Sequence, residues 1–231
     1  MKTAVIIVAA GSGVRLGSTL PKAFANLGGQ PLLWHSLEVT ASWKRASQIV
    51  LVAPPDYLAP ARDMASKFDS VAVIEGGNSR GASVRKGISE LSADTTHILV
   101  HDAARPLMPI QVFDRVFECL DLGAVGVAPV VEVVDTLVRQ ESNSIVAEAL
   151  DRSEFRAVQT PQGFDLKILR SAYDALDGEE TDDSSVIQKM GHEVRLVQGD
   201  PRGFKITYPA DLARAETFLS TAPDYRVAVA Y

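Results

Sequence analysis

Short apolar runs rich in β-branched side chains recur at residues 4–10, 49–53, 71–74, 97–100 and 124–130, separated by helically spaced stretches at 31–41, 57–67, 81–91 and 110–122. Runs this short and this continuously apolar read as strands buried on both faces, as happens where helices cover a parallel sheet. The alternation predicts an α/β, Rossmann-like three-layer fold with a mostly parallel central sheet. Residues 131–152 break the rhythm. Two strand-like pieces flank a polar turn at 141–144, which predicts a protruding β-hairpin arm. Its apolar residues Val131, Val133, Val134, Leu137, Ile145, Val146 and Leu150 are too many for a lone solvated ribbon, so the arm is expected to join two copies in an isologous homodimer. Beyond Gln162, one helix is expected over 182–190, capped by Thr181 and closed by Gly191, and another from Pro209 to Leu219. No repeat or linker interrupts the chain, and a single domain over residues 1–231 is the expectation.

A formal net charge of −6 excludes a general nucleic-acid or anionic-membrane binder, so any anion binding must be local. Cys119, the only cysteine, sits in a helix-like stretch and reads as a small buried hydrophobe; a cytoplasmic location fits. The N-terminal apolar run is short for a secretory signal and far too short to span a bilayer. Zinc is disfavoured, because His97 and His101 would stand about 13 Å apart along a strand. The acidic stretch "DGEETDDSS" reads as a solvated helix entry.

The stretch "AAGSGVRLG" follows the first strand and places backbone amides at the carboxyl edge of the sheet, where such folds bind phosphates. It is neither a dinucleotide fingerprint, since Leu16 stands where a third glycine belongs, nor a Walker A loop. Pro21 keeps Lys22 on an irregular segment. A glycine loop carrying Arg15 and Lys22 has enough positive charge to hold a triphosphate whose leaving part gains charge during reaction. In "HDAARP", Asp102 lies just past a buried strand at the same edge, where a carboxylate can ligate Mg2+ or another divalent cation that bridges phosphates.

Taken in order, "AAGSGVRLG", "PK", "EGGNSRGASVRKG", "HDAARP", "DTL", "TPQGF", "TDDSS" and "KIT" resemble the 2-C-methyl-D-erythritol 4-phosphate cytidylyltransferase family of sugar nucleotidyltransferases along nearly the whole chain. The resemblance implies a nucleotidyltransferase fold and transfer of CMP from CTP to a sugar-alcohol phosphate, with release of pyrophosphate, in isoprenoid-precursor synthesis. It implies that Ala9, Ala10, Gly11, Ser12 and Gly13 wrap the nucleotide, with Gly77 and Ser83 near the base, and that Arg15, Lys22 and Lys205 surround the phosphates. Asp102 would bind the metal and a substrate hydroxyl, while Arg105, Thr136, Arg152, Thr160 and Thr181 would hold the acceptor phosphate. Arg105, Thr136 and Arg152 would reach the neighbouring subunit's site. A phosphate monoester nucleophile is largely dianionic at neutral pH and needs no base, which agrees with the lack of a GxSxG elbow. Relatives often carry Asn-Ile before the last lysine; here Arg202, Gly203 and Phe204 stand there, leaving Asp200 open as a second metal carboxylate. A D-ribitol-5-phosphate cytidylyltransferase and a non-catalytic nucleotide-binding regulator are the alternatives, and a stand-alone chain without a fused cyclodiphosphate synthase is expected.

Overall fold

The computed structural model describes all residues except Ser12, 18–19, 176–181 and 222–231. Its twelve strands in chain order are β1 (Thr3–Val8), β2 (Asn26–Leu27), β3 (Gln30–Pro31), β4 (Ala46–Ala53), β5 (Val71–Glu75), β6 (His97–Asp102), β7 (Gly126–Glu132), β8 (Leu137–Gln140), β9 (Val146–Leu150), β10 (Arg156–Val158), β11 (Gln162–Asp165) and β12 (Arg195–Gln198). The α-helices are α1 (Leu32–Ser42), α2 (Leu58–Ala65), α3 (Arg80–Ser89), α4 (Ile110–Asp121), α5 (Leu166–Ala175), α6 (Asp183–Lys189) and α7 (Pro209–Thr221).

The main sheet runs β10-β7-β11-β6-β1-β4-β5, with β12 on the other side of β7. The pairs β1–β4, β1–β6, β4–β5 and β7–β12 are parallel. Strand β11 lies antiparallel between β6 and β7, and β10 pairs antiparallel with the end of β7. The three-layer reading therefore holds, with an antiparallel insertion that the apolar runs do not signal.

Side-chain alternation along β1 divides the interior into two cores. Val5 and Ile7 face one layer with Leu33, Leu37, Phe113 and Val116 from α1 and α4, while Ala4 and Ile6 face Val84, Ile88, Leu169 and Ile187 from α3, α5 and α6. Both faces of the sheet are dry, which explains why its strands read as unbroken apolar runs. A third cluster (Leu27, Leu32, Leu107, Ile206, Ala215) fixes α7 beside the first loop.

Three local expectations need correction. Helix α6 is capped by Asp182, whose carboxylate accepts from the Ser185 N–H, and Thr181, expected as its cap, lies outside the described residues. Strand β6 continues through His101 and Asp102, so these residues end the strand instead of following it. Ladder pairing of Val131 with Ala157 also carries β7 into the range expected for the arm. The arm itself is β8 and β9, paired only with each other. Val134, Val138, Ile145 and Val146 on and beside it are all about half exposed or more (76, 47, 57 and 59 %).

Candidate functional site

The first loop leaves β1 at Val8, and the Ala9 amide still bonds the Val52 carbonyl at 2.9 Å, so the turn starts from the rigid centre of the sheet. Gly13 has φ +70°, and a Cβ there would stand 2.7 Å from the Lys22 Cβ, so only glycine lets the loop lie against the Pro21-Lys22 segment. Facing it, residues 76–83 form a second turn. Ser83 Oγ donates to the Ser79 carbonyl and accepts from the Gly77 amide, at 2.9 and 3.0 Å, while Ser79 caps α3. A Cβ on Gly77 would meet that of Ala82 at 2.5 Å. The Ser83 hydroxyl is thus spent on shaping the turn, and its contribution to a base-binding surface is to hold backbone groups in place.

These turns, the end of β6 and the segment before α7 enclose a cavity of about 450 Å³. Its wall includes Ala9, Ala10, Gly11, Gly13, Arg15, Lys22, Gly77, Ser83, Asp102 and Lys205. Nine of the sequence-derived nucleotide and catalytic positions meet here together with Asp102; the remaining one, Ser12, lies outside the described residues. Lys205 is delivered by a long-range backbone bond, from the amide of buried Ile206 to the Ala104 carbonyl at 2.8 Å.

Asp102 is the carboxylate of the cavity wall. Its Oδ2 accepts from Lys205 Nζ at 2.7 Å and its Oδ1 from Arg80 Nε at 3.2 Å. Burial alone would raise its pKa, but Arg80 and Lys205 outweigh that and hold the carboxyl well below the usual carboxylate range. Lys22 has its pKa lowered, first by burial and then by Lys205 and Arg15. No carboxylate forms a salt bridge with Lys22 among the described residues, so an anion entering the cavity relieves the crowding of its charge.

Behind Asp102, the Thr160 hydroxyl accepts from the Asp102 amide at 3.0 Å and stands 3.2 Å from His101 Nδ1. Burial drives the His101 pKa down to about 4, leaving the ring neutral at pH 7. Thr160 is 3 % exposed and supports the β6 end from behind, away from the cavity wall. Arg105 donates to the Gly203 and Val158 carbonyls at 2.8 and 3.1 Å, bordering a second hollow of about 920 Å³ that meets the first at Lys205. Thr136 and Arg152 are exposed on the arm, where Arg152 bonds the Val134 carbonyl; within one chain neither lines the first cavity. Thr181 is outside the described residues.

A divalent cation held by protein alone would need several converging carboxylates, and no group of three or more His, Cys, Asp or Glu residues suited to a metal occurs among the described residues. One carboxylate beside a phosphate-sized cavity does fit a magnesium ion that takes its other ligands from phosphates and water. Asp200 is engaged elsewhere: it caps the 201–203 turn and pairs with Arg202 at 2.9 Å.

Two residues of the site, Arg80 in "EGGNSRGASVRKG" and Asp183 in "TDDSS", stand inside the motifs but received no role from them. Arg80 bridges Asp102 and the fully buried Asp183, with Nη2 2.7 Å from Asp183 Oδ2, and Asp183 Oδ1 accepts from the Tyr173 hydroxyl. A sequence signal did exist, since Arg80 follows the capping Ser79 in the first turn of a helix, where the macrodipole disfavours a cation that has no anionic partner.

A concave anion site of loop amides, four cations and one carboxylate, at the carboxyl edge of a three-layer α/β sheet, defines a protein that handles nucleoside triphosphates. The family model described as "IspD: 2-C-methyl-D-erythritol 4-phosphate cytidylyltransferase" matches residues 3–221. Proteins of that name from Streptomyces coelicolor and Rhodococcus jostii are each 40 % identical to the chain, over 95 and 93 % of it and 85 and 93 % of their own lengths. The solved 4-diphosphocytidyl-2C-methyl-D-erythritol synthase of Anaerococcus prevotii superposes with TM-score 0.83 at 26 % identity, covering 95 % of this chain and 98 % of that one. The Thermus thermophilus 2-C-methyl-D-erythritol 4-phosphate cytidylyltransferase does so with TM-score 0.77 at 33 % identity, covering 95 and 100 %. The chain belongs to the 2-C-methyl-D-erythritol 4-phosphate cytidylyltransferase family.

Proposed function

We propose that the cavity transfers CMP from CTP to 2-C-methyl-D-erythritol 4-phosphate, giving 4-diphosphocytidyl-2-C-methyl-D-erythritol and pyrophosphate. The observation that carries this reading is the convergence of Arg15, Lys22 and Lys205 on one cavity with Asp102, the glycine loop and the turn at Gly77. An oxygen of the acceptor phosphate attacks the α-phosphorus of CTP as the bond to the β-phosphate oxygen breaks, and both electrons of that bond leave with pyrophosphate. The nucleophile is already ionised, so the protein aligns the two phosphates and neutralises charge. Lys22, burdened by its cationic neighbours while the cavity is empty, regains a favourable field when the triphosphate enters. Lys205 and Arg15 flank the leaving group, and a magnesium ion shared between Asp102 and the phosphates would supply further charge neutralisation.

The exposed apolar arm supports a homodimer in which Thr136 and Arg152 of one copy complete the acceptor side of the other, as β8 and β9 bury little within their own chain. No helix among the described residues is long and apolar enough to cross a membrane, and the lone, part-buried Cys119 fits a reducing cytoplasm. Pyrophosphate release by purified protein with magnesium tests the reaction. It should appear with CTP and 2-C-methyl-D-erythritol 4-phosphate, and fall at least about a hundredfold when UTP, ATP or D-ribitol 5-phosphate replaces either substrate. Preference for ribitol phosphate would overturn the acceptor assignment, and tight CTP binding without turnover would overturn catalysis.

A further inference from the structure

Asp183 is a carboxylate with no exposed surface, held by Arg80 from α3 and Tyr173 from α5. Burying such a charge costs several kcal/mol even when it is paired, and an apolar residue of similar size would stabilise the fold as well or better. Its retention therefore calls for a task beyond stability. The task is legible in what Arg80 joins. From the first turn of α3 the guanidinium reaches Asp102 at the cavity wall with Nε and Asp183 at the start of α6 with Nη2, while Lys205 holds the other oxygen of Asp102. A single side chain thus links the turn at 76–83, the end of β6 and the first residue of α6. Gln162 secures the same turn of α6, accepting from the Ser184 amide and hydroxyl at 3.0 and 2.8 Å and donating to Asp182.

We propose that Arg80 is a positioning residue that couples the two halves of the site: it sets the orientation of the Asp102 carboxylate on the nucleotide side and fixes the entry of α6, which Gln162 ties to the segment of Thr160, a residue that the family resemblance gives to the acceptor phosphate. The planar fork is what the task needs. Its separate nitrogens reach two carboxylates at once, Nε in a hydrogen bond to Asp102 and Nη2 in an ion pair with Asp183, which a lysine ammonium on a shorter reach cannot do with the same geometry. Affinity for the acceptor phosphate thereby depends on a residue that belongs to the nucleotide-side turn. The inference rests on the cytidylyl-transfer reading given above.

The test is steady-state kinetics on the full chain, with KM measured separately for CTP and for 2-C-methyl-D-erythritol 4-phosphate, beside thermal unfolding of each variant. Asp183→Asn keeps shape and an acceptor for Tyr173 but removes the charge that holds Arg80. It should raise the acceptor KM about tenfold while the CTP KM stays within about twofold. Arg80→Met should lower kcat as well, because Asp102 loses one of its two partners. Arg80→Lys should recover part of kcat without restoring the acceptor KM. In Arg80→Met/Asp183→Asn the acceptor KM should be no higher than in Arg80→Met alone, since the pair is already broken. An unchanged ratio of the two KM values in folded Asp183→Asn, or effects that multiply in the double variant, would overturn the proposal. Should Arg80→Met fail to fold, the isosteric Asp183→Asn ratio decides by itself. Wild-type protein that shows no turnover would remove the underlying reaction, whereas active wild type with an unmoved ratio removes only the coupling.

Discussion

The proposed nucleotide half of the site and the proposed acceptor half are built on different terms. The described residues of 9–22 follow β1, 76–79 lead from β5 into α3, Asp102 ends β6 and Lys205 precedes α7; braced by glycine contacts, a helix cap and buried backbone bonds, they line one cavity within one chain. Thr136 and Arg152 stand exposed at the base of a two-stranded ribbon outside the main sheet, one just before β8 and the other just after β9. A preassembled half binds its ligand without an ordering cost, whereas a half assembled from an arm acquires its geometry only with a partner. The difference teaches where variants will act on binding and where they will act on assembly.

The largest expected effect is in the preassembled half. Lys22→Ala should lower kcat about 100- to 1000-fold in pyrophosphate-release assays, the usual cost of removing a donor aimed at developing charge. Gly13→Val forces a β-branched residue into φ +70° against Lys22. Strain of about 2 kcal/mol should weaken CTP binding about 30-fold by calorimetry. On the arm, Arg152→Ala should raise the acceptor KM about tenfold and leave CTP affinity unchanged. A heterodimer of one Lys22→Ala chain and one Thr136→Ala/Arg152→Ala chain, isolated with two tags, sharpens the point. Assayed well below the acceptor KM, about half of wild-type activity should return if arms work across the dimer, since one of the two sites is then intact, and about a tenth of that or less if they work within their own chain. Smallest of all, Asp200→Asn should shift the magnesium dependence of the rate less than about twofold, because its carboxylate serves the 201–203 turn and Arg202. A loss of magnesium response there would make Asp200 a ligand and redraw the boundary between the halves.

The nucleotide half was legible because its chemistry is local: a glycine loop, a proline that stops a helix, and a strand end each leave a mark in a few adjacent residues. The sheet core was legible for a related reason, since strands dry on both faces must be apolar throughout. Strands β10, β11 and β12 left no such mark. Their pairing with β6 and β7 joins residues distant in sequence, and β12, with exposed Leu196, alternates too weakly to read as a strand. Arg80 and Asp183 were hidden in the same way, as a salt bridge between residues so far apart in the chain has no local pattern. Ser83 and Thr160 were found by motif, and the structure refines where they act: one hydroxyl shapes a turn and the other supports Asp102 from behind.

The insertion of β11 between β6 and β7 also orders events in time. Strands β4 and β5 can pair as they emerge, since Ile49 meets the nearby Val71, whereas β1 waits for β6, Thr3 pairing with His97. Strand β7 cannot be joined to β6 until β11 has been threaded between them, pairing Gln162 with the distant Val100. Contacts of that span close late and slowly, since the loop entropy comes before the reward. The hairpin that precedes β11 hangs within that loop, so amide protection during refolding should rise in β4 and β5 before it rises in β11.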